Sequence, residues 1–193
     1  MKLKRICLTG LALLGCLLVE AQEMQEARVE KSVWGVQAGL LSSWGYNELR
    51  LSDAVVLRSE IGLVGGFALI YTNIFGEYSR YIIMPEVAVE PRWYYDLARR
   101  QARDRRTIRN SGNYFSLRTS FNPKCPVISD SYTTPTNLMT MVPMWGIRRH
   151  FGRHFSLEAG IGAGYWHRFD DTGSTRNRDG IAIEWRFCVG YTF

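Results

Sequence analysis

The sequence predicts an all-β fold, an eight-stranded antiparallel up-and-down transmembrane β-barrel, and three observations predict it. From Gly180 to Phe193 the chain alternates strictly: Ile181, Ile183, Trp185, Phe187, Val189, Tyr191 and Phe193 share one face, while Ala182, Glu184, Arg186, Cys188, Gly190 and Thr192 share the other. One face is wholly apolar, the run exceeds the roughly 9–11 residues that a tilted strand needs to cross a bilayer, and it ends on an aromatic carboxyl terminus. Second, several upstream segments alternate in the same way, with their charges on the face opposite the apolar one. Third, beyond the N-terminal run no segment reaches the ~18 consecutive apolar residues of a membrane helix, so a membrane protein of this sequence crosses with strands.

Length and composition fit a single packed domain: 193 residues, 46% hydrophobic and 13% aromatic, which argues against disorder. Lys2, Lys4 and Arg5 precede an apolar run from Ile6 to Val19, and Val19-Glu20-Ala21 then gives a small residue at a cut. This is the pattern of an export signal, so residues 1–21 are expected to be a signal peptide, 22–32 a polar periplasmic lead-in and 33–193 an outer-membrane barrel. A rival lipobox-like cut lies at Leu13-Leu14-Gly15-Cys16, but Leu17, Leu18 and Val19 prolong the apolar run past that cysteine. Removal of residues 1–21 leaves Cys125 in a loop and Cys188 facing inward, which permits a disulfide without indicating one.

The elements follow in order. Trp34, Val36, Ala38 and Leu40 oppose Gly35, Gln37 and Gly39 in a first strand, and Trp44 to Leu51 forms a short second one. After a turn at Ser52-Asp53, Val55 to Phe67 puts Leu57, Ser59, Ile61 and Leu63 outside and Arg58, Glu60, Gly62 and Val64 inside. Residues 68–81 lack firm alternation and read as a loop with extended ends. Ile82 to Tyr95 alternates again, although Pro85 and Pro91 each delete a ladder donor and argue against a central strand. Asp96 to Ser111 is strongly basic. Asn113 to Phe121 is the fifth strand, the Pro-, Ser- and Thr-rich 122–136 a loop, and Asn137 to Arg148 the sixth strand. A tight connection at Arg149 to Arg153 leads to the seventh, where Phe155, Leu157, Ala159, Ile161, Ala163 and Tyr165 oppose Ser156, Glu158, Gly160, Gly162 and Gly164. A polar loop, 170–179, precedes the closing strand.

Collected together, the inward positions form a lumen charge network: Glu48, Glu60, Glu86, Glu90, Glu158 and Glu184 against Arg50, Arg58, Arg92, Arg118, Arg148 and Arg186. Acids and bases balance. A soluble lipocalin-type barrel shows the reverse, polar outside and apolar within, whereas charge facing the bilayer midplane costs about 2–4 kcal/mol. An eight-stranded barrel is just wide enough for side chains to fill, so these ions predict a plug rather than a pore. The glycines of the seventh strand are expected to make room for long Arg and Glu side chains.

The segments Leu57-Arg58-Ser59-Glu60-Ile61-Gly62-Leu63, Glu90-Pro91-Arg92-Trp93-Tyr94-Tyr95 and Ser111-Gly112-Asn113-Tyr114-Phe115 resemble those of small uncharacterised outer-membrane β-barrel proteins of Gram-negative bacteria, porin-like barrels of the OmpA and OmpX kind. So do Trp145-Gly146-Ile147-Arg148-Arg149, Glu158-Ala159-Gly160-Ile161-Gly162 and the ending Val189-Gly190-Tyr191-Thr192-Phe193. The resemblance covers nearly the whole chain after residue 21. It implies an eight-stranded barrel inserted by the outer-membrane assembly machinery, which reads a C-terminal aromatic strand, and it carries over no catalytic residue and no cofactor.

Candidate chemistry is sparse. His154, Ser156 and Glu158 or Glu184 have the residue types of a lipid A deacylase, but Ser156 and Glu158 face inward, away from a membrane acyl chain. His150 and His154 flank one turn and lack a third metal ligand. Arg99, Arg100, Arg103, Arg105, Arg106 and Arg109 suit the phosphates of outer-membrane lipids and lipopolysaccharide, with no nucleic acid expected. Counting strands back from a periplasmic C-terminus puts this stretch on the periplasmic side, where turns are normally short. The expected role is structural or surface-interacting rather than enzymatic. Passage of small hydrophobic solutes through a lateral opening and lipid A modification are the alternatives.

Overall fold

A strand with charges on one face and aliphatics on the other cannot bury both faces in a flat sheet, and closing the sheet on itself separates them. The computed structural model describes residues 27–72, 76–129, 136–169 and 178–193, with 66–81 and 129 described by backbone alone. Its strands are β1 (Ser32–Gly39), β2 (Ser42–Arg50), β3 (Val55–Thr72), β4 (Gly76–Trp93), β5 (Asn113–Asn122), the two-residue β6 (Ile128–Ser129), β7 (Asn137–Phe151), β8 (Phe155–Phe169) and β9 (Asp179–Thr192). Each barrel strand pairs antiparallel with its sequence neighbours, and β9 closes on β1 through Gly35↔Thr192 to Gly39↔Cys188. Only β6 stands outside this circuit, pairing with Ile82 and Ile83 of β4. The result is a closed up-and-down barrel of eight strands.

Residues 27–31, the C-terminal residue, the β2–β3 turn, the β4–β5 connection and the β7–β8 turn share one end of the barrel, here called the termini end; the β1–β2 turn lies at the other. Gly152, at φ +60°, supplies the left-handed position of the tight β7–β8 turn. Of residues 68–81, read from sequence as a loop with extended ends, 68–72 and 76–81 continue the β3–β4 ladder to Thr72↔Gly76. Beyond Val64 this hairpin pairs with no other barrel strand, so it needs no two-faced alternation to persist. The sixth strand likewise runs on past Arg148 to Phe151.

The prolines are accommodated without loss of register. Val89↔Thr119 and Arg92↔Ser116 keep β4 and β5 in step across Pro91, which removes only the local rungs. Pro85 lies beyond the last β4–β5 pair, and its carbonyl accepts a bond from Asn122 Nδ2 at 3.2 Å. The seventh-strand glycines serve a neighbour other than the one expected. A Cβ on Gly162 would crowd Pro143 O and lie 2.7 Å from Met144 Cγ, and one on Gly164 would crowd Met141 O, so these glycines let β8 approach the backbone of β7 and its apolar side chains rather than making room for Arg or Glu.

The two faces sort by charge across the middle of the barrel. Among the described residues, the outward strand positions carry no charged side chain between Arg149 near the termini end and His167 and Asp179 near the other end. Large apolar side chains stand exposed all round, including Ile61, Val87, Ile161 and Ile183. Aromatic rings cluster at the termini end: Trp93, Tyr95 and Phe115 contact one another, Trp145 Nε1 donates to Tyr95 Oη at 2.9 Å, and Tyr191 packs between Phe155 and Phe193. Among the described residues, a cluster of buried apolar side chains, Val29, Val56, Tyr94, Leu97 and Tyr114, lies under the termini end.

Candidate functional site

The interior is ionic. Glu48, with no solvent exposure, accepts from Arg58 Nη1 at 3.1 Å, Arg92 Nη1 at 3.4 Å, Asn110 Nδ2 at 2.8 Å and Arg148. Glu158 is the second hub, accepting from Arg92 Nη2 at 2.7 Å, Arg186 Nη1 at 2.8 Å, Tyr114 Oη at 2.9 Å and Gln37 Nε2 at 3.1 Å. Glu60 takes Arg58 Nε at 2.6 Å and is shared with Arg118 and Arg186. Glu90 takes Arg92 at 2.8 Å, Arg186 at 3.1 Å and Ser116 Oγ at 2.6 Å. Buried charge is tolerated only with partners of this kind, because the cost of dehydrating each ion is several kcal/mol. The guanidinium faces are used as well: Arg58 lies 3.8 Å above the Tyr46 ring and Arg92 4.2 Å above Tyr114.

Ten of the twelve inward charges predicted from sequence are thus buried and joined, and two differ. Arg50 lies half-buried at the termini end, and among the described residues no carboxylate pairs with it. Its place on the last residue of β2 leaves it outside the ring of acids. Glu184 touches the network through one contact, Arg118 Nη1 at 3.2 Å, and its side chain keeps 23% exposure. The connected set is therefore Glu48, Glu60, Glu86, Glu90, Glu158 and Glu184 against Arg58, Arg92, Arg118, Arg148 and Arg186. Counted as ions, these are six acids and five bases, one negative charge in excess.

Sequence reasoning did not assign the network's neutral members, Gln37, Tyr46, Tyr94, Asn110 and Tyr114. Gln37, Tyr46, Tyr94 and Tyr114 fall on inward parities, so period-two alternation carried their signal. Gly35 and Gly146 make room for two of them: a Cβ at Gly35 would lie 2.6 Å from Tyr46 Cζ, and one at Gly146 would fall within the Tyr114 ring.

The basic stretch 96–111 closes the termini end. It folds as α1 (Leu97–Gln101) and a 3-10 turn (Ile108–Asn110), and Arg109 and Asn110 adopt φ of 53° and 61°, which turns the Asn110 amide onto Glu48. Arg109 Nη1 reaches the carbonyls of Arg153 and Thr192, the latter at 2.8 Å, and Arg106 Nη1 reaches Gly152 O at 3.0 Å. Arg100 binds Arg106 O at 3.0 Å. Arg99, Arg103 and Arg105 are exposed. The stretch is long for a turn because it is a cap. The N-terminal segment expected as a free lead-in joins it in its described part: Val29 is fully buried, and Glu30 Oε1 accepts from Arg109 N at 3.1 Å.

The deacylase-like residues are not brought together. His154 stacks on Tyr191, with Nδ1 2.9 Å from Thr192 O, while Ser156 is buried and its Oγ has no hydrogen-bond partner among the described residues. His150 is buried on β7, and no three His, Cys, Asp or Glu groups among the described residues gather to hold a metal. Cys125 is exposed and Cys188 buried, both as free thiols.

Above the ionic layer, toward the end away from the termini, lies a cavity of about 340 Å³ lined in part by Trp44, Glu86, Arg118, Thr140, Glu184 and Cys188. Trp44 Nε1 and Arg118 Nη2 both donate to Glu86 Oε1, at 3.1 and 2.5 Å.

No family model, no curated protein and no solved structure matches this chain. The barrel rests on its own closed register. The likeness to a particular outer-membrane family rests on the sequence segments alone.

Proposed function

We propose that this chain is an integral outer-membrane β-barrel whose ionic interior blocks conduction, with a structural or surface-interaction role. The observation that carries the reading is the inversion of polarity: ions joined inside, and outside an uncharged belt with aromatics at its termini end. From Ile181 to Tyr191 the belt spans about 34 Å of strand, or about 26 Å along the axis at a tilt of about 40°, which suits a hydrocarbon core spanned by such barrels. Exposing this many aliphatic side chains to water would cost far more than a soluble domain tolerates.

With both termini in the periplasm, the cap faces the periplasm. Its exposed Arg99, Arg103 and Arg105 then face the phosphates of the inner leaflet, at about 1 kcal/mol of attraction each. Lipopolysaccharide meets the opposite end, and the assembly machinery engages the aromatic strand that ends at Phe193. Fractionation tests the reading: the protein is expected in the outer membrane, resistant to alkaline extraction, with heat-dependent gel mobility and no steady conductance in planar bilayers. A compact monomer that stays dissolved without detergent would overturn the membrane reading, and steady conductance would overturn the blocked interior.

A further inference from the structure

The barrel wall is incomplete at one place. β1 stops pairing with β9 at Gly39↔Cys188, and β2 stops with β3 at Ser42↔Val64, apart from one bond from Gly65 N to Leu41 O at 2.6 Å. Yet β9 continues to Asp179 along β8, and β3 continues to Thr72 along β4. The first hairpin is thus shorter than its flanking strands, and above its turn a notch separates β9 from β3. Backbone groups alternate in an antiparallel ladder, so Ile181, Ile183 and Trp185 present theirs to this notch, where no described strand pairs with them.

The rim of the notch is apolar. The hairpin turn is Leu40-Leu41, 77% and 55% exposed, rather than the Gly, Asn or Asp usual in water, and Ile181 and Ile183 above it are 80% and 74% exposed. Behind the rim lies the 340 Å³ cavity, whose lining sets Glu86, Arg118 and Glu184 among apolar side chains such as Trp44, Val142 and Ala182. Its charged lining is Glu86 and Glu184 with Arg118 and Arg186: both carboxylates share the guanidinium of Arg118, which also serves Glu60, while Arg186 is engaged by Glu60, Glu90 and Glu158. Glu184 is the most exposed carboxylate of the ionic network and, among the described residues, has one ion pair.

We propose that the notch and cavity form a binding site for an amphiphile with a cationic head, a single-chain amine or ammonium. The head sits beside Glu184 and Glu86, neutralises the surplus charge of the network, and leaves the chain along Leu40, Leu41 and Ile183. This deepens the membrane reading, since an unpaired strand edge is tolerated at hydrocarbon depth only where it lines a cavity or is covered. Association requires no opening at the capped end.

The test uses native mass spectrometry of the full-length mature protein from a nonionic detergent, titrated with dodecylamine, dodecanol or dodecanoate at pH 7. One dodecylammonium per barrel is expected, bound about tenfold or more tighter than dodecanol, with dodecanoate weakest, the scale set by one charge-assisted contact. Glu184→Gln is expected to erase the preference for amine over alcohol, and Ala182→Trp, which fills the cavity, to remove binding of both. Leu41→Asn, on the exposed turn, is expected to weaken both equally. Heat-dependent gel mobility reports whether each variant is folded; if Ala182→Trp is not, the wild-type selectivity and Glu184→Gln decide. Equal affinity for the three probes, or an amine preference that survives Glu184→Gln, would overturn the site. Failure of the membrane reading is separate: it shows as solubility without detergent, whereas the titration reads the cavity in either case.

Discussion

Replacing Glu48 by Gln keeps the shape of the side chain and removes its charge at one of the two hubs of the interior. Among the described residues Glu48 is the only carboxylate paired with Arg148, and it also contacts Arg58 and Arg92. The latter two retain Glu60, Glu90 and Glu158, but Arg148 is left with the Tyr46 hydroxyl and ring. Breaking a buried pair in this way costs about 3–5 kcal/mol, a large part of the ~5–15 kcal/mol that keeps a typical domain folded. Glu184→Gln is the internal control. Its partner Arg118 keeps Glu60 and Glu86, and the partly exposed carboxylate is screened by water, so a loss of about 1 kcal/mol or less is expected. Reversible unfolding by urea in micelles, followed by tryptophan fluorescence and by heat-dependent gel mobility, measures both. Similar losses for the two variants, or a Glu48→Gln barrel as stable as wild type, would refute the reasoning that the interior is held by charge pairing.

Gly146→Val is expected to displace the Tyr114 ring and its bond to Glu158, costing about 1–3 kcal/mol by overpacking; the same unfolding assay reads it. Arg109→Ala removes the bonds to Arg153 O in the β7–β8 turn and to Thr192 O, leaving Arg106 on Gly152 O at that turn, for a loss of about 1.5–3 kcal/mol and faster trypsin cleavage at Arg103 to Arg106 in purified protein. Val87→Arg, on the uncharged outward belt, is expected to lower folding stability in lipid vesicles by about 2–4 kcal/mol. The inward substitution Ala88→Ser, beside it in sequence, is expected to change stability by less.

Alternation made most of the barrel readable. On β3, Arg58 and Glu60 stand between Leu57, Ser59 and Ile61, and that pattern alone assigned faces and predicted the ionic interior. What escaped lacks a local period. The β3–β4 extension is a backbone ladder that, among the described residues, pairs with no other barrel strand, and its sequence carries no firm alternation. The cap is specified by long-range contacts: Asn110 meets Glu48, and Arg109 meets Thr192, pairings that no spacing within 96–111 reveals. Arg50 had the right parity and the wrong height along the axis, because period two fixes the side of a strand and says nothing of depth. The notch depends on the difference in length between the first hairpin and β3 and β9, a property of three separated segments at once.

Whether hydrocarbon surrounds the barrel is tested most directly by collision rates of spin labels in lipid vesicles. Single cysteines placed at Val87, Ile161 and Ile183, with Cys125 and Cys188 changed to serine, report the outward belt; a cysteine at Ser52, in the turn at the termini end, reports water. Frequent collision with oxygen and exclusion of a water-soluble nickel chelate at the three belt positions is the predicted result. Belt labels as open to the nickel chelate as the Ser52 label would contradict it.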